Sequence, residues 1–241
     1  MKLKKLLSLV FVLALLASFT QALAYNTLSG FSSYTFSAVT SSHTLSAAFG
    51  KTSGVAGAVW KNPFKDVAEG DWFYDAVQYV AQRGLMTGTA ADLFGPNDAV
   101  TRGMAVTILW RMSGDKGRYA NTFNDVAAGS YYETAAAWAS SKGIASGTGG
   151  GRFEPDAFVT RQDLAVMLWR YAKLRGMDVS VGEDTNILSY DDAITVSEYA
   201  YAALQWACGS GLLHGDTSNH LNPRGTASRA ETAAILQRFA K

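Results

Sequence analysis

The chain has 241 residues, 48% of them hydrophobic and 17% charged, with a formal net charge of +1. That length fits one or two ordinary domains or a short array of repeats, and the near-balanced charge excludes general affinity for nucleic acid or an anionic membrane, since both call for a basic excess. The lone cysteine, Cys208, excludes an internal disulfide and reads as a small residue packed in a helix.

Residues 1–24, MKLKKLLSLVFVLALLASFTQALA, join a lysine-rich head to an apolar run from Leu6 to Ala17 and a small-x-small ending at Ala22-Leu23-Ala24. This pattern predicts a secretory signal peptide cleaved before Tyr25. The apolar run is shorter than the roughly 20 residues a spanning helix needs. The sequence therefore reads as exported, with no membrane span after signal removal. Losing Lys2, Lys4 and Lys5 leaves 18 basic residues against 20 acidic ones. Residues 25–62 follow, rich in Ser, Thr, Gly and Ala, with Lys51 the only charge before Trp60. They read as a flexible or weakly structured arm, with a small strand or hairpin left open.

From residue 63 the chain repeats itself. FKDV at Phe64 aligns with FNDV at Phe123 and YDDA at Tyr190, and GLMTGT at Gly84 aligns with GIASGT at Gly143 and GLLHGD at Gly211. Pro96, Pro155 and Pro223 keep the register through FGPND, FEPDA and LNPRG, which leads to VTRGMAVTILWRM, VTRQDLAVMLWRY and ASRAETAAILQRF. Arg102 to Arg161 is 59 residues and Arg161 to Arg229 is 68, and the glycines and prolines share both offsets. The three units span 63–117, 118–178 and 186–241. The excess in the second interval falls mainly on RGMDVSVGEDTN, Arg175 to Asn186, which reads as an exposed connection.

Within each unit the spacing predicts helix, loop, helix. The first helices cover Trp72–Arg83, Tyr131–Lys142 and Glu198–Ser210, and each stops at a glycine suited to a left-handed terminus. The second helices begin at Thr101, Thr160 and Ser228. They carry apolar stripes such as Ala105, Val106, Leu109 and Trp110, which read as core between helices. The expected fold is mainly α: three helix-loop-helix repeats packed around a central three-helix bundle with pseudo-threefold character, since one unit alone buries too little.

An arginine opens each second helix, where the partial positive charge of the helix end disfavours it. Free N–H groups at a helix start form an anion site, and a guanidinium beside them can grip a carboxylate through two parallel hydrogen bonds. The triplet therefore predicts carboxylate binding at Arg102, Arg161 and Arg229. Capping accounts for the Ser and Thr: Ser228 with Glu231 has the form of a capping box, Thr160 with Asp163 is a shorter variant, and Thr101 caps alone.

Together, the FKDV, FNDV and YDDA openings, the GLMTG, GIASG and GLLHG centres, the proline turns and the TRGM, TRQD and SRAE helix starts resemble the S-layer homology domain family in three tandem copies. The resemblance implies a bundle of the repeats' principal helices, with grooves between repeats that hold a secondary cell-wall polysaccharide of Gram-positive bacteria, often bearing pyruvate ketals. It places the family's binding arginine at Arg102, Arg161 and Arg229, with Thr101, Thr160 and Ser228 beside them. It also implies a place in the cell wall or surface layer, with other surface-layer proteins as further partners.

Several candidate site residues carry two readings. Asp66, Asp125 and Asp192 suit sugar hydroxyls or a cap or turn. Trp72, Tyr132 and Tyr199 suit sugar rings or the core. Gly88, Gly147 and Gly215 suit close approach of a glycan or a positive φ. Because Met104 stands where the other repeats have Asp163 and Glu231, unequal grooves are expected, with those of Arg161 and Arg229 the safer. No catalytic constellation or cofactor motif is present: His214 and His220 lack ligand spacing, and no elbow, phosphate loop or zinc helix occurs. The chain thus reads as a non-catalytic binding module. A helical repeat for protein–protein contact and a wall-glycan hydrolase are the alternatives.

Overall fold

A computed structural model describes residues 60–240. The expected signal peptide and all of the arm before Trp60 lie outside the described residues. The helices are α1 (Tyr74–Gln82), α2 (Arg102–Ser113), α3 (Glu133–Ser141), α4 (Arg161–Leu174), α5 (Tyr201–Gly209) and α6 (Arg229–Phe239), with short 3-10 turns at Ser180–Gly182, Ala193–Thr195 and Glu198–Ala200. Among the described residues there are isolated β-bridges and no strands, so the fold is mainly α.

Helix ends follow local chemistry. Thr101, Thr160 and Ser228 cap α2, α4 and α6, each hydroxyl accepting the backbone N–H three residues on, and Ser228 with Glu231 completes a capping box. After α1, α3 and α5 the chain turns at Gly84, Gly143 and Gly211, with φ of 63°, 69° and 68°. These left-handed residues suit glycine.

The helices pair across repeats. The second helix of one repeat packs on the first helix of the next, α2 on α3 and α4 on α5, while α6 of the third repeat returns to α1 of the first. Among the second helices, α2 also meets α4. The residues just before the three caps, Val100, Val159 and Ala227, are fully buried. They form a closed ring of backbone hydrogen bonds: Val100 N–H donates to Ala227 (2.9 Å), Ala227 to Val159 (3.1 Å) and Val159 to Val100 (2.8 Å). Around it lies a continuous apolar core that includes Val77, Phe94, Leu109, Trp138, Phe153, Leu168, Leu204 and Leu236.

The connection after α4 is exposed over most of its length, as expected, but its 3-10 turn docks on α5, where Gly182 is buried so closely that a Cβ would sit 2.9 Å from the Trp206 backbone nitrogen. The segment is a packed brace on the third repeat.

Candidate functional site

Free N–H groups at the helix starts were the basis for expecting an anion site, and the structure fills them from within. Arg102 and Gly103 donate to the carbonyls of Ala157 and Pro155, Arg161 and Gln162 to Gly225 and Pro223, and Arg229 and Ala230 to Asp98 and Pro96, all at 2.8–2.9 Å. With the cap hydroxyl on the third N–H, each helix start is satisfied by the proline turn of the neighbouring repeat. Little is left there for a ligand.

The arginines also cross into that neighbour. Arg102 Nε donates to the Phe153 carbonyl (2.9 Å) and Nη2 to Ser146 (2.8 Å). Arg161 Nε donates to Leu221 (2.9 Å) and Nη2 to His214 (3.1 Å). Arg229 Nε donates to Phe94 (2.8 Å) and Nη2 to Thr87. Arg102 and Arg229 further lie over the rings of Phe153 and Phe94, at 4.8 and 4.6 Å from the centroids. Leu221 offers Arg161 no ring, and Arg161 Nη1 instead pairs with Glu231 at 3.2 Å. Burial pulls Arg102 and Arg229 below the ordinary guanidinium range, with nearby acids, Asp163 for Arg102 and Asp98 for Arg229, opposing it. Each arginine is a strut between repeats, and its Nη1 edge is what remains for other partners.

Three grooves surround these struts, and each draws on all three repeats. The first lies between the Leu85–Thr89 loop and α2 and is completed by Tyr131 from the second repeat and Arg229 from the third; its volume is about 310 Å³. The second, about 150 Å³, combines Ser146, Asp163 and Arg170 with Tyr199 and Arg102. The third, about 140 Å³, combines His214, Glu231 and Arg238 with Trp72 and Arg161. Every groove thus holds a helix-start arginine, a second arginine from the far end of the adjacent helix, and an aromatic ring from another repeat. Trp72, Tyr131 and Tyr199 are 67%, 58% and 57% exposed.

The S-layer homology domain family model matches residues 63–105, 122–165 and 189–233. This chain belongs to that family. It is 29% identical over 175 residues to an endoglucanase of Bacillus sp. (strain KSM-635), covering 72% of this chain and 18% of the relative. It is 27% identical to the surface-layer 125 kDa protein of Lysinibacillus sphaericus (76% of this chain, 15% of the relative) and 27% identical to the S-layer protein sap of Bacillus anthracis (74% and 21%). The chain spans about a fifth or less of these relatives.

Within the S-layer homology repeats, several expected site residues do other work. Asp66 accepts the N–H groups of Phe94 and Gly95, Asp125 those of Phe153 and Glu154, and Asp192 those of Leu221 and Asn222, all at 2.7–2.8 Å. Both oxygens of each carboxylate clamp the repeat's own proline turn, which is the turn role expected of them. The residue before each proline, whose N–H the clamp holds, has positive φ: Gly95 at 70°, Glu154 at 55° and Asn222 at 50°. Gly88, Gly147 and Gly215 have ordinary φ, which corrects the conformational reading. A Cβ at Gly88 or Gly147 would stand 2.9 Å from the ring of Phe64 or Phe123, and at Gly215 it would strike Tyr190. Backbone carbonyls crowd the first two positions more closely still, Leu93 at Gly88 and Arg152 (2.7 Å) at Gly147, so these glycines let the loop close on itself as well as on the ring that opens the repeat. Thr101, Thr160 and Ser228 spend their hydroxyls on capping.

Tyr132 is a further correction. The groove aromatic of the second repeat is Tyr131, while Tyr132 packs on the core beside Gly103. The offsets of 59 and 68 link Trp72, Tyr131 and Tyr199 and would have found it. The same offsets link Arg111, Arg170 and Arg238, which the sequence reading missed. Their Nη1 atoms donate to the equivalent carbonyls of Leu85, Ile144 and Leu212 at 3.2, 3.3 and 3.0 Å.

Proposed function

We propose that the chain is a non-catalytic module that holds an acidic secondary cell-wall polysaccharide, pyruvylated sugars being the best fit, and so anchors itself at the surface of a Gram-positive-type bacterium. One observation carries this reading: each groove repeats two guanidiniums facing an exposed aromatic ring. Guanidiniums suit a carboxylate, and a flat ring suits the apolar face of a sugar. Family membership supports it, as do the relatives named as surface-layer proteins. Three grooves on one body would give avidity on a repeating polymer. No groove is lined by more than one carboxylate among the described residues, whereas glycoside hydrolysis uses a pair.

The test is co-sedimentation with purified wall sacculi. Wild type is expected to pellet with intact sacculi, to remain in solution once the secondary polymer is chemically stripped, and to release no reducing ends. Pelleting that ignores the stripping would sink the proposal. Replacing Arg102, Arg161 and Arg229 together by Ala should abolish pelleting, but these residues also brace the repeats, so thermal melting of that variant must accompany the result.

A further inference from the structure

We propose that the groove headed by Met104 is the principal carboxylate site of the chain, because the third residue of each second helix decides whether the groove already holds a carboxylate of its own. This rests on the reading that the grooves take an acidic wall sugar. The three grooves differ at that position in a way the geometry makes consequential. In the third, Glu231 Oε1 accepts from Arg161 Nη1 at 3.2 Å, which spends the one edge of that guanidinium not committed to the neighbouring repeat. In the second, Asp163 lines the cavity with Arg102, its oxygens taken by the hydroxyls of Tyr199 (2.7 Å) and Thr160 (2.6 Å). An incoming carboxylate meets a resident one in both, and like charges within such reach repel.

The first groove contains no such competitor. Met104 occupies the equivalent position and faces Arg229, whose Nε and Nη2 are held by Phe94 and Thr87 while Nη1 has no partner among the described residues. Asp98, in the proline turn behind Arg229, and Asp66, which clamps that turn, both act on the guanidinium, and neither lines the cavity. Arg111 stands in the same groove, fixed through Nη1 to the Leu85 carbonyl, with Nε and Nη2 unengaged among the described residues. The cavity thus brings together two guanidiniums and no protein anion. Its volume of about 310 Å³ also reaches the roughly 300–1,000 Å³ typical of small-ligand sites, whereas the other two grooves, at about 150 and 140 Å³, do not. A pyruvate ketal on a hexose would place its carboxylate between Arg229 and Arg111 and its ring against Tyr131.

The experiment titrates full-length protein with the 4,6-pyruvate ketal of a methyl hexopyranoside and with its methyl ester, by calorimetry, beside the sacculus assay. Wild type should bind the acid with one dominant site and ignore the ester. Met104→Glu, which installs the competitor, and Arg111→Gln should each weaken binding by about tenfold or more. Glu231→Gln retains a capping-box side chain while removing the charge, and should add a second site. Wild-type affinity in a folded Met104→Glu variant would overturn the inference. If that variant does not fold, wild-type behaviour of both Arg111→Gln and Glu231→Gln overturns it instead. Polymer-dependent pelleting of wild type together with any such result leaves the anchoring reading standing and this inference alone refuted. Wild type that pellets with no sacculi refutes the anchoring reading and takes this inference with it.

Discussion

Gly147 shows what single residues do in this chain and how far sequence shows it. Its recurrence with Gly88 and Gly215 was plain from the offsets, but its purpose was not, because the atoms it avoids are the Arg152 carbonyl across the loop and the ring of Phe123, 24 residues earlier. Gly147→Ala should destabilise the protein by about 1–3 kcal/mol through overpacking, measured as a shifted urea midpoint. Gly70→Ala, where a Cβ meets nothing within 4 Å, should leave the midpoint nearly unchanged. The arginines teach the same lesson. Their positions and their chemistry were legible, and their first duty was not. A helix start looks vacant in sequence until one knows that another repeat's proline turn fills it. Arg161 and Glu231 are 70 residues apart, and nothing local announces their pairing.

At the scale of elements, the caps and glycine stops were readable because each depends on residues within a few positions of the helix end. Second-helix starts were therefore placed at the correct caps. First-helix starts ran two or three residues too early: Trp72 and Tyr131 continue the apolar spacing before the α-helix begins, and Glu198 opens a 3-10 turn that leads into it. The proline turn was recognised as a turn, but its mechanism depends on a carboxylate about 28 residues upstream. For Asp125, burial pushes the carboxyl up, yet the N–H groups of Phe153 and Glu154, followed by Arg152, outweigh it and hold the group below the ordinary aspartate range. A depressed carboxyl contributes stability above its unfolded value, near 3.9, and loses it as pH falls through the lower folded value. The clamp should therefore hold at neutral pH and weaken below about pH 4. Asp125→Asn should lower the melting temperature at pH 7 while flattening its fall in acid, read by melting curves between pH 7 and pH 2. Equal acid slopes in the two proteins would contradict the clamp.

On the scale of the whole molecule, periodicity revealed three copies and their order, while the way they meet could only come from the structure. Every groove is made by three repeats at once, so no repeat carries a complete site. This is why assigning Met104 to the site of Arg102, its nearest arginine in sequence, fails: Met104 faces Arg229. The hydrogen-bond ring of Val100, Val159 and Ala227 ties each second helix to the other two. The pairing of α6 with α1 joins the third repeat to the first through packing alone.

That closure makes the order of the repeats along the chain a matter of where the polypeptide happens to be opened. Trp60 stacks edge-on against Tyr74 at 5.6 Å, and Gln237 Nε2 donates to the carbonyl of the next residue, Asp75, at 3.2 Å, so residues near the two described ends meet at the start of α1. A permuted gene that joins residue 240 to residue 60 through a short linker and opens between Glu183 and Asp184, both exposed, should encode the same body with the same three grooves. Its far-ultraviolet spectrum and single melting transition should match those of the parent fragment 60–240. A permutant that melts in separate steps would mean that synthesis order, and not the closed ring of contacts, dictates the fold.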